Sequence, residues 1–299
     1  MSTPEDTPAP AEEELPGEQL LDEEAVEPEA TERREPLITT DQFLTLADTE
    51  DLAERHGLTV VLIAGEYESG KTTLLVALWN SLLNHGAITD AHFAGSRTAL
   101  GFERRAWLAR LACRGEKPDT DRTHESENGF LHLRLAAHDR MREVLLSDVA
   151  GETFKQVRYG TPFRDKIEWL DSVNVALFLI DGGDFADDGR RSSALSNTRR
   201  LIGQLRESGA TPTVAVALAK ADLITTELRE KWSREGQVLL DLAREIDSGA
   251  VLLEVTARPP GGEDPAGLQD VLGVILKPPS ASAAVFQPMR AERMIGRVT

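Results

Sequence analysis

The stretch Thr59-Val60-Val61-Leu62-Ile63-Ala64-Gly65-Glu66-Tyr67-Glu68-Ser69-Gly70-Lys71-Thr72-Thr73 decides how this chain folds. Its first six residues are apolar or β-branched, the composition of a buried strand. Gly65 to Thr72 then match G-x-x-x-x-G-K-[ST] in full. At average residue frequencies, a chain of this length matches that pattern by chance about once in 100 cases. The residues that follow have helical spacing, with Leu74, Leu75, Leu78, Leu82 and Leu83. Strand, glycine loop and helix start, in that order, aim a row of backbone N–H groups at one anion. Gly65 to Thr73 would form this phosphate cradle. Lys71 would reach the outer phosphates, and the Thr72 hydroxyl would meet Mg²⁺. A plain glycine turn before an ordinary helix is the duller alternative, and the flanking elements count against it.

Outward from this loop the chain alternates between strand and helix patterns. The expected strands are 58–64, 129–136, 142–148, 173–180, 212–219 and 250–256. The expected helices are 71–84, 101–113, 152–159, 163–170, 190–207, 226–246 and 265–275. A short helix is expected from Thr49 to His56, ended by Gly57. Such alternation predicts an α/β three-layer sandwich: a mainly parallel sheet with helices on both faces. The pair 129–136 and 142–148 predicts one antiparallel hairpin at a sheet edge.

Three further stretches carry chemistry. Val144-Leu145-Leu146 leads to Asp148-Val149-Ala150-Gly151. A carboxylate ending a buried strand can hold Mg²⁺ through water, and a glycine three residues on lets a backbone N–H approach a γ-phosphate. Asp264–Gly267 and Asp270–Gly273 share this D-x-x-G spacing, but neither ends an apolar strand. Next, Val214 to Leu218 leads to Ala219-Lys220-Ala221-Asp222. One carboxylate can accept both donors of guanine, N1–H and the 2-amino group, while adenine offers no such pair. The Lys220 stem would lie over the ring. The plainer reading is a surface lysine and a helix-capping aspartate. Last, Val251-Leu252-Leu253-Glu254-Val255 runs into Thr256-Ala257-Arg258.

Taken together, residues 58–275 resemble a P-loop GTPase of the translation-factor and Ras-like class. The loop with Glu68-Ser69 before Gly70-Lys71 is similar to that of heterotrimeric G-protein alpha subunits. Ser96 to Arg105, followed by Asp148 to Glu152, resembles the double-GTPase group of bacterial multi-gene systems. Ala219-Lys220-Ala221-Asp222 resembles the N/T-K-x-D base-reading motif, with Ala219 in place of the usual bracing Asn or Thr. Thr256-Ala257-Arg258 resembles the S/T-A-K loop, in which a backbone N–H serves the guanine carbonyl. The resemblance implies a P-loop NTPase fold, GTP or GDP as ligand and Mg²⁺ as cofactor. It implies a switch threonine that ligates Mg²⁺, for which Thr98 is the first choice and Ser96 the second. It places Glu152 where such proteins orient the attacking water, usually with Gln. Arg97 and Arg158 are candidates for transition-state charge, against the plainer reading of solvated arginines.

Composition bounds the rest. The chain has 299 residues, 40% of them hydrophobic, enough for one sizeable α/β domain. Its net charge of −18 argues against nucleic-acid or anionic-membrane partners held by bulk electrostatics. Residues 1–36 carry thirteen acids and two basic residues, a net of −11, which leaves −7 for the remainder. Residues 1–38 are therefore expected to be a disordered acidic arm or a docking arm for a basic partner. Residues 39–277 are expected to be the nucleotide domain, and 278–299, with Arg290, Arg293 and Arg297, a basic tail. Cys113 is the only cysteine, which excludes an internal disulfide and fits a reducing cytosol. The six histidines lack zinc-type spacing and read as structural or surface residues. No basic-then-apolar leader is visible, and no apolar run is long enough to span a bilayer. The expectation is a cytoplasmic, Mg²⁺-dependent GTP-binding switch with slow hydrolysis, serving a protein effector. An ATPase and a non-hydrolysing, nucleotide-locked scaffold remain as alternatives.

Overall fold

The computed structural model describes residues 37–38, 42–45, 47–49, 52, 57–111 and 129–277. The basic tail lies outside these residues, as do most of the acidic arm and most of the helix expected from Thr49 to His56. The last two residues assigned to the arm are in fact a strand, β1 (Leu37–Ile38).

The remaining strands are β2 (Gly57–Gly65), β3 (Ala87–Ile88), β4 (Ala91–Ser96), β5 (Phe130–Ala137), β6 (Arg140–Ser147), β7 (Val175–Asp181), β8 (Thr213–Ala219) and β9 (Val251–Val255). They form one sheet in the order β1-β4-β5-β6-β2-β7-β8-β9, with β3 paired to β4. The pairs β6–β2, β2–β7, β7–β8 and β8–β9 are all parallel. Every residue of β7 and β8 is buried, as expected for parallel strands covered on both faces. The expected hairpin is β5–β6, antiparallel. It turns through His138 and Asp139 at φ 51° and 57°, the paired left-handed residues of a type I′ turn.

Beyond the hairpin the sheet continues into β4, for which no strand is expected. Ala91-His92-Phe93-Ala94-Gly95-Ser96 contains no β-branched residue. It is a strand because β5 pairs along it, with a register shift between Phe93 and Gly95. Tertiary pairing overrides weak local preference here.

Eight helices cover the sheet among the described residues: α1 (Lys71–His85), α2 (Ala99–Leu111), α3 (Gly151–Arg158), α4 (Phe163–Lys166), α5 (Gly182–Ala186), α6 (Asp188–Glu207), α7 (Thr226–Arg244) and α8 (Leu268–Leu276). The side chains of β2 alternate between the two faces. Val61 and Ile63 join a core with Leu74, Leu75 and Leu78 of α1, Phe102 of α2 and Leu272 of α8. Val60 and Leu62 join the other core, with Phe154 of α3, Leu201 of α6 and Trp232 of α7. The layers are therefore helix, sheet and helix. The helix expected at 163–170 stops at Lys166. Ile167 leaves helical geometry at φ −123°, ψ 82° and is buried together with Trp169 and Leu170. No helix among the described residues is long and apolar enough to cross a membrane.

Candidate functional site

The carboxyl ends of β2, β6, β7, β8 and β9 lie side by side, and the chain turns there into loops that enclose a cleft of about 790 Å³. Ligands in open α/β sheets bind at this end of the strands. The lining brings together Tyr67 to Thr73, Asp148, Gly151 and Glu152, Lys220 and Asp222, and Ala257 with Arg258. Stretches far apart in sequence thus meet in one cavity.

The loop after β2 needs left-handed backbone at Glu68 (φ 60°) and Gly70 (φ 92°). Gly70 precedes α1 and offers no side-chain cap, so the first N–H groups of α1 have no side-chain acceptor at that position. Lys71 is buried, and its ammonium donates to the carbonyls of Gly65 and Glu66, both at 2.8 Å. Burial pushes its pKa down to about 8, against the pull of Asp148, Glu66 and Glu152. The Ser69 hydroxyl is buried with no hydrogen-bond partner among the described residues. An orphaned hydroxyl just before a helix N-terminus fits an anion with several acceptor oxygens.

The Asp148 end follows from how β6 finishes. The Ser147 hydroxyl accepts from the Ile63 N–H at 3.0 Å, extending the ladder to β2 through a side chain. Asp148 follows, 2% exposed. Three residues on, Gly151 opens α3. A Cβ there would lie 2.7 Å from the Tyr67 nitrogen, so only glycine allows this approach to the loop. Glu152 lies exposed in the first turn of α3, where the helix dipole favours a negative charge. Arg158, at the far end of α3, donates to Glu66 at 2.8 Å and stacks on Tyr159. It ties α3 to the loop.

At the other end of the cleft, Lys220 is left-handed (φ 53°) and its ammonium lies 2.5 Å from the Asp181 carboxylate. Asp181 also caps α5 by accepting from the N–H groups of Gly183 and Asp184. A methyl on Gly182 would meet the carbonyls of Ala219 and Lys220 at 2.5 Å. The end of β7 is therefore clamped against the Lys220 loop, which supplies the bracing that Ala219 lacks. Asp222 is exposed beside Leu223 on the cleft wall. Thr256 exchanges backbone hydrogen bonds with Ala266, both at 3.0 Å, and this presents Ala257 to the cleft.

Thr98 does not face the cleft, contrary to the expectation that it ligates Mg²⁺. It is fully buried, and its hydroxyl accepts from the His132 N–H at 2.8 Å. Ser96, the second choice, donates to the His132 carbonyl at 2.7 Å. The Arg97 N–H donates to His132 Nδ1, so the His132 ring carries its proton on Nε2 and donates it to Glu143 at 2.6 Å. Arg134 also holds Glu143. Burial alone would raise the Glu143 pKa, but the bonds from His132 and Arg134 bring it down to about 2. Residues 96–98 are thus pinned to the sheet by a buried polar network.

Two residues that shape the site carry weaker sequence signals. Asp181 ends an apolar strand just as Asp148 does, so the same pattern could have found it. Arg105 donates to Asp148 from α2, and nothing in its spacing marks it.

The sequence profile of a family described as Double-GTPase 2 matches residues 59–251. The chain belongs to the Double-GTPase 2 family. Three of the four stretches that line the cleft, at Tyr67–Thr73, Asp148–Glu152 and Lys220–Asp222, lie within the matched residues. Among solved structures, the chain is similar to the bacterial selenocysteine-specific elongation factor EF-Sec, with a TM-score of 0.37 and 14% identity over 73% of this chain and 28% of that one. It is also similar to the GTP-bound GTPase-like domain of Ski7 from S. cerevisiae, with a TM-score of 0.44 and 16% identity over 75% and 50% of the two chains. The chain thus spans half or less of these proteins. No curated protein matches it.

Proposed function

We propose that this Double-GTPase 2 protein binds Mg²⁺–GTP in the cleft, hydrolyses it slowly and acts as a cytoplasmic switch on a protein partner. The supporting observation is the convergence of four separate sequence stretches on one cavity of about 790 Å³. The N–H groups of residues 66–73 would cradle the phosphates, and Lys71 would exchange its two carbonyl partners for phosphate oxygens. Thr72 and Asp148 offer the hydroxyl and carboxylate that suit Mg²⁺. Phosphate and water oxygens would complete the shell of that ion. When bound, that ion neutralises charge on the β- and γ-phosphate oxygens. The Gly151 N–H would contact the γ-phosphate, with Glu152 beside the attacking water. Asp222 would accept from the guanine edge under the Lys220 stem, and the Ala257 N–H would meet the guanine carbonyl.

The test is to denature the purified protein and identify the released nucleotide by chromatography. GDP or GTP is the expected result. ADP or ATP would overturn the assignment of Asp222 as base reader. Tight GTP with no phosphate release over hours would replace the slow hydrolase with a nucleotide-locked scaffold.

A further inference from the structure

We infer that Arg105 competes with Mg²⁺ for Asp148, so that helix α2 sets how much Mg²⁺ nucleotide binding requires. The inference rests on the assignment of Asp148 to the metal side of the cleft. Nε and Nη2 of Arg105 both converge on one oxygen of that carboxylate, at 2.7 and 2.6 Å. The guanidinium is fixed on its other sides as well. Nη1 donates to the Gly101 carbonyl at 3.0 Å, and the Phe43 ring lies 5.0 Å from the guanidinium carbon. Arg105 is 11% exposed and Asp148 2%, so water screens the pair weakly. This is a built contact, unlike a surface arginine that meets a carboxylate by chance.

The helix places it beside the cleft. Ala109, one turn after Arg105 on the same face of α2, lines the cavity. An arginine keeps its charge at every accessible pH, so it cannot make room for a divalent cation by losing a proton. A carboxylate oxygen held by two guanidinium N–H groups cannot also serve the hydration shell of Mg²⁺. The guanidinium charge also opposes a dication at the other oxygen, so the metal is favoured when Arg105 swings off Asp148 or α2 shifts. By linkage, whatever holds Arg105 in place weakens the metal, and the metal weakens that hold by the same factor. Phe43 is the remote part of this device. It touches Arg105 without lining the cleft, so it tests the idea without altering a metal-side group.

The experiment is a Mg²⁺ titration of GDP binding to the full chain, followed by calorimetry, for the parent, Arg105→Gln and Phe43→Ala. The readout is the Mg²⁺ concentration at which the gain in GDP affinity is half complete. Removing one charge-assisted contact predicts a midpoint lower by ~10-fold in Arg105→Gln. Phe43→Ala should lower it by a few-fold, since the arginine stays but is less firmly seated. If Arg105→Gln does not fold, as its melting curve would show, Phe43→Ala decides. A midpoint unchanged or raised in the folded variants overturns the competition and leaves the GTP reading intact. A raised midpoint would mean that Arg105 assists the loaded site. If the parent binds no guanine nucleotide at any Mg²⁺ concentration, both the competition and the GTP reading fall.

Discussion

The two ends of the cleft are built on different principles. At the phosphate end, ionic side chains are already engaged within the protein: Lys71 with two carbonyls, Asp148 with Arg105, and Glu66 with Arg158. At the base end, the Asp181–Lys220 clamp holds the loop in shape and Asp222 is left exposed. A ligand entering the phosphate end must exchange protein contacts for its own. Affinity there is a small difference between large terms, open to tuning by pH, metal and helix position. On the function proposed above, the base end is preformed and selection there depends on a single carboxylate.

The largest expected effect is therefore at the base end. Asp222→Asn should exchange GTP for xanthosine triphosphate as the preferred ligand. Xanthine carries a carbonyl where guanine carries an amino group, and an amide can donate to it where a carboxylate cannot. Mismatching such a pair, where the bound base covers it from water, alters selectivity by roughly 10⁴-fold in favourable sites. Competition binding of the two nucleotides measures the ratio, and a mutant that retains GTP preference removes Asp222 from base reading.

The clamp should matter next. Asp181→Asn removes the charge that holds Lys220, and a hydrogen bond to a charged group is worth about 1.5–3 kcal/mol. GDP affinity should fall by roughly 10- to 100-fold. Inorganic pyrophosphate, which touches only the other end, should bind as before. Equal losses for both ligands would show that the two ends are one mechanical unit, and the contrast drawn between them would fail.

The same contrast explains what was legible in the sequence. The strand before Gly65, the Asp148 turn and the Lys220 turn are local patterns: a buried strand ending in a residue type with one obvious use. They can be read because strand, loop and chemistry are contiguous. Arg105 and the β4 strand cannot be read in that way. β4 exists through its pairing with β5, and Arg105 meets Asp148 only because α2 packs against α1 and β5, beside the end of β6. Thr98 departs from its expected place for a related reason. A threonine in a loop looks available until the fold shows its hydroxyl bonded to the backbone of His132.

The phosphate end should show pH dependence. The Lys71 pKa of about 8 lies below its ordinary 10.5 because the ammonium is buried. Bound phosphates would stabilise the charged form and raise that pKa. Below pH 8 the lysine is already protonated and affinity should be flat. Above it, binding must take up a proton, and affinity should fall by up to tenfold per pH unit. The fold itself has the opposite slope from this group. Between about 8 and 10.5 the unfolded chain holds the proton that the folded one has lost, so stability gains as pH rises. GDP titrations from pH 7 to 9.5 measure the first effect. A profile that stays flat past pH 9 would mean that Lys71 is not the phosphate contact.

The smallest expected effect is on the chemical step. Glu152 is exposed at the start of α3 and lines the cleft near Lys71. The helix N-terminus attracts its negative charge, and a γ-phosphate close by would repel it. A carboxylate caught between these two influences turns outward and holds water poorly. Intrinsic turnover should then be slow, at or below the ~10⁻² s⁻¹ of unassisted switch GTPases with an internal arginine. A neutral amide keeps the acceptor and loses the repulsion, so Glu152→Gln should speed hydrolysis by a few-fold. It should also tighten GTP modestly while leaving GDP unchanged, because the repulsion arises only against the γ-phosphate. Single-turnover rates at saturating Mg²⁺, together with both affinities, separate these effects. A variant much slower than the parent would make Glu152 a working general base. The phosphate end would then be equipped for chemistry as directly as the base end is for recognition.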